Sequence, residues 1–119
     1  MSREELRERT KKFSLRIIRL VKVLPNGVVE RAIANQLVRS GMSVGANYRA
    51  ACRGRSKAEF IAKLGIVLEE ADECAYWLEM IVEAEILSKK KVSELLKEAD
   101  ELSAIFYTIL KSSKRPTAN

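Results

Sequence analysis

The chain has 119 residues, of which 47% are hydrophobic and 32% charged, with five glycines and two prolines. This length suits one domain with its own core, and the balance is typical of a helical globular protein rather than a disordered or fibrous one. No apolar run would cross a membrane, and the N-terminal residues lack the apolar segment of a signal peptide. We therefore expect a cytosolic protein without membrane contact, whose two cysteines, Cys52 and Cys74, are reduced thiols.

The net charge of +6 is unevenly distributed along the chain. Residues 1–63 carry 15 basic and 5 acidic side chains, whereas residues 64–119 carry 7 basic and 11 acidic ones. Such an asymmetry can attract a polyanion to the basic half of the molecule. It can equally let the basic half of one molecule pair with the acidic half of a neighbour.

Helical periodicity predicts a first helix over residues 3–24, which the Pro-Asn-Gly turn at residues 25–27 terminates. A second helix is predicted over residues 28–53. Its inner stripe is poor in bulky side chains, and Gly41 and Gly45 lie close to that stripe. Because a glycine inside a helix costs about 1 kcal/mol relative to alanine, we expect another helix to pack closely there.

Gly54 predicts the end of the second helix, and Ser56 with Glu59 forms a capping box that begins a third. The third helix is predicted over residues 57–87 and is the longest of the four. A serine again precedes the fourth helix, predicted over residues 89–112.

Four amphipathic helices with short connections predict an all-α fold, an up-down-up-down antiparallel four-helix bundle. The bundle forms a single domain over residues 1–112, and residues 113–119 are predicted to be a flexible tail. No strand periodicity or internal repeat competes with this interpretation.

The sequence contains no recognisable catalytic or metal-binding site. Histidine is absent, which removes the commonest general base and metal ligand, and no phosphate-binding loop is present. The two cysteines lack further thiol or imidazole ligands that would complete a zinc site. We therefore predict that the protein is not an enzyme, has no catalytic residue and uses no metal or cofactor.

An acidic cluster marks the third helix. Most of its carboxylates point away from the apolar stripe on a helical wheel, which predicts a solvated face. They are Glu69, Asp72, Glu73 and Glu79. Glu70 instead flanks the stripe, as Trp77 does. We expect Glu70 to meet a partner, an arginine on a neighbouring helix or subunit.

Two basic ridges are predicted on the first two helices, each within an arc of about 80° on a helical wheel. The first comprises Arg9, Lys12, Arg16 and Arg19, and the second Arg31, Arg39, Arg49 and Arg53. Three explanations are open, namely nucleic-acid binding, pairing with another subunit, and plain solubility. Tyr48 could stack on a base, or it could lie at a boundary between helices.

Residues 43–79 resemble the signature of a bacterial and archaeal four-helix-bundle family, the proteins encoded in intervening sequences of 23S ribosomal RNA genes. The segment reads SVGANYRAACRGRSKAEFIAKLGIVLEEADECAYWLE. The residues that carry the likeness are Ser43, Asn47, Arg55, Ser56, Phe60, Glu70, Trp77 and Leu78. Ala50 departs from the pattern, because many members have a glutamate at this position, so no role for that carboxylate transfers.

The resemblance implies a ring-shaped homopentamer with a basic surface and a central channel. It also implies kinship with accessory proteins of diversity-generating retroelements, which are pentamers that bind nucleic acid and a reverse transcriptase. A second interface of this kind would accommodate Asn47, Tyr48, Glu70 and Trp77. The alternative for Asn47 is that it caps a local bend beside Gly45 within the monomer.

We therefore predict a non-enzymatic, oligomeric nucleic-acid-binding protein, with structured RNA related to ribosomal RNA favoured over DNA. Its candidate phosphate contacts are Arg16, Arg19, Arg39, Arg49, Arg53, Arg55 and Lys57. The alternative hypothesis is a protein-interaction scaffold whose basic and acidic halves pair between subunits, with no nucleic-acid ligand.

Overall fold

Four helices make up the computed structural model, which describes residues 1–115 of the chain. They are α1 (Arg3–Lys22), α2 (Val28–Cys52), α3 (Lys57–Glu83) and α4 (Lys89–Ser113). The helices run up, down, up and down in a bundle that measures 56 × 22 × 20 Å, which confirms the predicted all-α four-helix fold. The last residues of the predicted tail, 116–119, lie outside the described residues.

Serine hydroxyls begin three of the four helices. The side chains of Ser2, Ser56 and Ser88 each accept a hydrogen bond from the backbone N–H three residues further along. At α3 the Glu59 carboxylate also accepts the N–H of Arg55, at 2.6 Å. These bonds satisfy N–H groups that have no partner inside a helix, which explains why the sequence located these starts correctly.

The end of α3 lies four residues before the predicted one. Glu85 adopts a left-handed conformation with φ of 59°, and the Ile86 N–H donates to the Ile81 carbonyl at 2.9 Å. This pattern of bonds is a Schellman motif, which usually has glycine at the left-handed position. Since no glycine occurs here, no sequence signal marks the stop.

The core is a layer of apolar side chains contributed by all four helices. Within it the rings of Tyr48 on α2 and Phe106 on α4 lie 5.3 Å apart at 47°. Phe13 from α1 and Leu78 from α3 are also buried in this cluster. No helix within residues 1–115 combines the length and apolar character that a membrane span requires.

Helices α1 and α2 approach each other closely at two glycines of α2. A Cβ atom on Gly41 would lie only 2.5 Å from the Ile17 side chain, and one on Gly45 would lie 2.8 Å from Ser14 Oγ. The Ser14 hydroxyl donates to the Gly41 carbonyl at 2.6 Å and accepts the Gly45 N–H at 3.2 Å. The two glycines thus allow α1 to approach the backbone of α2, as their positions in the sequence predict.

The seam between α1 and α4 is much more sparsely packed. An ion pair closes part of it, because Arg9 binds Glu98 through two hydrogen bonds of 2.7 Å and Glu101 through one of 3.0 Å. This bidentate pair is partly shielded, with 26% of the Arg9 side chain and 15% of the Glu98 side chain exposed. The hydrogen bond from Arg9 lowers the pKa of the Glu98 carboxyl below its ordinary value.

The α1–α2 contact predicts opposite effects for two Gly→Ala substitutions. We expect Gly41→Ala to lower the free energy of unfolding by about 1–3 kcal/mol, because the new methyl group overlaps Ile17. Gly65→Ala is the matched control in α3, since nothing lies within 4 Å of its new methyl group. It should raise the free energy by about 0.5–1 kcal/mol through helix propensity alone. Urea unfolding measures both, and a Gly41→Ala protein as stable as wild type would contradict the tight contact.

Candidate nucleic-acid interface

A groove between α1 and α2 collects cations from both helices. Its volume is about 490 Å³, and Ser14, Met42 and Gly45 contribute to its lining. The cations that line it are Arg7, Lys11, Arg49 and Arg53. Glu8 is the carboxylate among the lining residues. All four cations are exposed, and within residues 1–115 none of them lies in an ion pair.

The groove follows from helix periodicity and from the register of the two helices. Arg7 and Lys11 are four residues apart, as are Arg49 and Arg53, so each pair occupies one face of its helix. The Ser14 hydrogen bonds to Gly41 and Gly45 set the antiparallel register that brings the two pairs to one groove. Gly45 also lines the groove and contributes only backbone atoms, which leaves open space between the two pairs of cations.

Two further predicted phosphate contacts lie at the corner between α2 and α3. Arg55 and Lys57 line a separate groove of about 440 Å³ there, together with Arg3 of α1. The Arg3 guanidinium sits 4.3 Å above the Phe60 ring in a cation–π contact. The corner belongs to the same end of the bundle as Arg53, so the basic surface extends around this end.

Arg16 and Arg19 lie elsewhere, in a groove between α1 and α4. Arg9, predicted to share their ridge, is instead bound to Glu98 and Glu101. Within the predicted ridge on the first helix, Arg9 is therefore neutralised by α4. Arg7 and Lys11, which no sequence pattern singled out, face the second helix on another side of α1, and only the register of α1 against α2 reveals this.

Arg39 turns toward α3. Its guanidinium donates to the Gln36 side chain at 2.8 Å and lies 3.8 Å from the Glu73 carboxylate. With 63% of its side chain exposed, it still reaches solvent. The predicted phosphate contacts are thus distributed over several surfaces, and Arg49 and Arg53 are the two that join cations of another helix in the α1–α2 groove.

On α3, the carboxylate that approaches an arginine within residues 1–115 is Glu73 rather than Glu70. Glu73 accepts the Ser40 hydroxyl at 2.6 Å and the Trp77 indole N–H at 3.4 Å, in addition to its approach to Arg39. The predicted solvated position of Glu73 is therefore wrong, because α2 packs across this part of α3. An arginine partner for Glu70 on another subunit stays a prediction.

Glu70 is half-buried beside this network. Its Oε2 atom is fully enclosed and has no hydrogen-bond partner within residues 1–115. Burial and the neighbouring charge of Glu73 raise the pKa of the Glu70 carboxyl above its ordinary value of 4.5. The ionised form of Glu70 is consequently disfavoured in the folded chain.

The remaining polar residues singled out in the sequence lie at different depths. Asn47 is half-buried, and its amide donates within α2 to the Ser43 carbonyl at 3.0 Å and hydroxyl at 2.6 Å. Tyr48 is 1% exposed, so its ring is not available to stack on a base. Trp77 is half-buried, with its ring edge-on to the exposed Tyr76 at 5.1 Å. Asn47 therefore finds partners locally, within the monomer.

The chemically reactive groups of the interior differ from the cations of the α1–α2 groove. Burial raises the pKa of the Cys74 thiol to about 12, which makes it a poor nucleophile. Within residues 1–115 no group of three carboxylates or thiols is placed to hold a metal ion. The groove cations, by contrast, are accessible donors without an internal partner, and such donors bind phosphate oxygens.

The raised pKa of Glu70 predicts a pH-dependent gain in stability from Glu70→Gln. Above the folded-state pKa the wild-type carboxylate is ionised and partly desolvated, so the neutral glutamine should raise the melting temperature at pH 7. As the pH falls below 4.5, the carboxyl becomes protonated in both folded and unfolded chains and the difference should vanish. Thermal unfolding across this range measures it, with the exposed Glu79→Gln as control. A Glu70→Gln protein less stable than wild type at pH 7 would contradict the assignment.

Comparisons with known proteins agree with this fold. The family model described as 23S rRNA-intervening sequence protein matches residues 4–108. A crystal structure from Bacteroides thetaiotaomicron, of a protein with unknown function from the S23 ribosomal protein family, is 34% identical to this chain. It superimposes with a TM-score of 0.85 over 93% of this chain and 99% of its own. No curated protein matches the sequence. Because the family model covers most of its length, the chain belongs to the 23S rRNA-intervening sequence protein family.

Proposed function

We propose that the protein is a non-enzymatic nucleic-acid-binding protein that holds structured RNA by its phosphate backbone. The observation that carries the proposal is the groove between α1 and α2, where Arg7, Lys11, Arg49 and Arg53 converge without internal ion pairs. The family takes its name from intervening sequences of 23S rRNA, and for this association we favour RNA related to ribosomal RNA as the ligand. The uneven charge of the two halves of the chain supports the same surface.

Recognition in this groove is electrostatic and independent of base sequence. Arginine and lysine neutralise phosphates and release condensed counterions, so affinity falls as salt rises. The buried ring of Tyr48 cannot stack on a base, which leaves the groove without the aromatic contact that single-strand binders use. Arg55 and Lys57 extend the cationic surface at the same end of the bundle.

The test compares neutral substitutions inside and outside the groove. We expect Arg49→Gln and Arg53→Gln each to weaken RNA binding severalfold at about 50 mM salt, and to lower the salt-dependence slope by about 1. Lys97→Gln, an exposed lysine of α4 outside the groove, removes the same charge and should change affinity little. Fluorescence anisotropy with RNAs of unrelated sequence measures all three. Equal losses in all three variants, or wild-type affinity no higher than that of a neutral control protein, would contradict the proposal.

A second candidate function is assembly between copies of this chain, in which basic and acidic halves pair between subunits. The observation that favours it is Glu70, whose enclosed Oε2 lacks a partner within residues 1–115. Tyr76 and Met80 of the same helix are both exposed and offer apolar area for a contact between subunits. A contact between two unlike faces can close into a ring, which is the form that the family resemblance implies.

Charge reversal tests this pairing. We expect Arg49→Glu and Glu70→Arg each to reduce the mass of the assembly measured by light scattering, because each places like charges across the interface. Combining the two reversals should restore the mass. Single variants that keep the wild-type mass would contradict this pairing, and nuclease treatment of each sample distinguishes assembly by protein from assembly on bound RNA.

A further inference from the structure

A second basic groove lies between α1 and α4, nearer the other end of the bundle. It has a volume of about 330 Å³. The cations that line it are Arg16 and Arg19 from α1 and Lys90 and Lys91 from α4. Glu94 is the carboxylate among its lining residues. No sequence pattern marks the two lysines, because they become neighbours of Arg16 and Arg19 only through the antiparallel packing of α4 on α1.

The cations of this groove lack internal partners, although carboxylates lie close by. Within residues 1–115 none of the four comes within 4.0 Å of a carboxylate oxygen. Further along the same seam, Arg9 takes both Glu98 and Glu101. The seam is therefore neutralised at Arg9 and left positive at the groove.

The start of α4 adds to this imbalance. Its first turn contains Lys89, Lys90 and Lys91 and no acidic residue, whereas the first turns of α1, α2 and α3 each contain a glutamate. Cations are unfavourable near the positive end of a helix dipole. An external anion in the groove would offset both the repulsion among the four cations and the unfavourable interaction of the lysines with the dipole of α4.

The two basic grooves flank α1 on its two sides. At 100° per residue, the pair Arg7 and Lys11 points about 130° away from the pair Arg16 and Arg19 around the helix axis. The pairs are also offset along α1 by about 13 Å, at 1.5 Å per residue. Helix α1 is thus a ridge with a row of cations along each side.

We propose that the groove between α1 and α4 is a second phosphate-binding site, and that the ligand is an A-form RNA duplex. One backbone strand lies in each groove, and α1 lies across the minor groove between them. The inference rests on the proposed function of the α1–α2 groove and names its ligand.

The shape of α1 favours the RNA duplex over B-form DNA. The cations lie in grooves on either side of α1, where α2 and α4 pack beside it, whereas a B-form major groove about 8.5 Å deep is read by a single helix that enters it. The minor groove of A-form RNA is wide and shallow, and its two backbones are accessible from outside. A broad ridge with cations on both sides matches that geometry.

The experiment uses the full chain and three probes, a blunt RNA duplex of about 16 base pairs, the DNA duplex of the same sequence, and one RNA strand alone. We expect Lys90→Gln with Lys91→Gln to weaken duplex RNA binding about tenfold at about 50 mM salt, and to lower the salt slope by about 1 to 2. Binding of the single RNA strand should change less than about twofold, since one strand occupies only the α1–α2 groove. Wild type should bind the RNA duplex more tightly than the DNA duplex.

The matched control is Lys97→Gln with Lys111→Gln, which removes two exposed α4 lysines outside both grooves and should leave duplex binding unchanged. Circular dichroism checks that each variant keeps the helical fold. Unchanged duplex affinity in the Lys90 and Lys91 variant, an equal loss for the single strand, or equal wild-type affinity for DNA would overturn the inference. If Arg49→Gln still weakens binding in that case, only the second site fails. If wild type binds none of the probes, the proposed function fails with it.

Discussion

The close contact between α1 and α2 determines most of what this molecule can do. Gly41 and Gly45 let the backbones approach, and Ser14 bridges them with two hydrogen bonds. Any side chain at these glycines would push the helices apart and shift their register. Because the register sets which cations of α1 face Arg49 and Arg53, a packing constraint in the middle of the bundle decides the charge pattern on its surface.

Charges in this bundle fall into neutralised and unneutralised sets. Arg9 and Arg39 face carboxylates on adjacent helices, whereas the cations of both grooves have none within reach among residues 1–115. Exposed ion pairs stabilise a fold only weakly, so leaving these cations unpaired costs little stability. Glu70 is the opposite case, a partly buried carboxylate whose ionised form is disfavoured. The fold thus leaves unpaired cations on its surface and, at Glu70, a partly buried carboxylate whose ionised form is disfavoured.

The fold could be predicted from the sequence because its signals are local. Serine caps, the turn after α1 and apolar stripes of period 3.6 each act within a few residues. The end of α3 was missed because Glu85 takes a conformation that glycine usually supplies. A helical wheel also treats each helix alone. It could place Arg9 and Glu73 on outer faces, but it could not show that α4 and α2 would cover them.

The candidate site was only partly predictable for the same reason. Arg49 and Arg53 follow from the periodicity of α2, whereas Arg7, Lys11, Lys90 and Lys91 gain significance only when another helix is placed beside them. These groupings depend on contacts between residues that are distant in sequence. Periodicity defines the faces of a helix, and the neighbouring helix decides which face becomes a groove.

The uneven seams of α1 also imply an order of local opening. On one side α1 is fixed to α2 by tight packing, and on the other side it meets α4 through the Arg9 ion pair and few other contacts. Local unfolding follows the weakest contacts, so separation along the α1–α4 seam requires less free energy than separation of α1 from α2. Opening along this seam leaves the α1–α2 and α2–α3 contacts in place, so that α1 stays attached to the rest of the bundle through α2. Amide hydrogen exchange would register this as weaker protection of α1 and α4 along their shared seam than of α2 and α3.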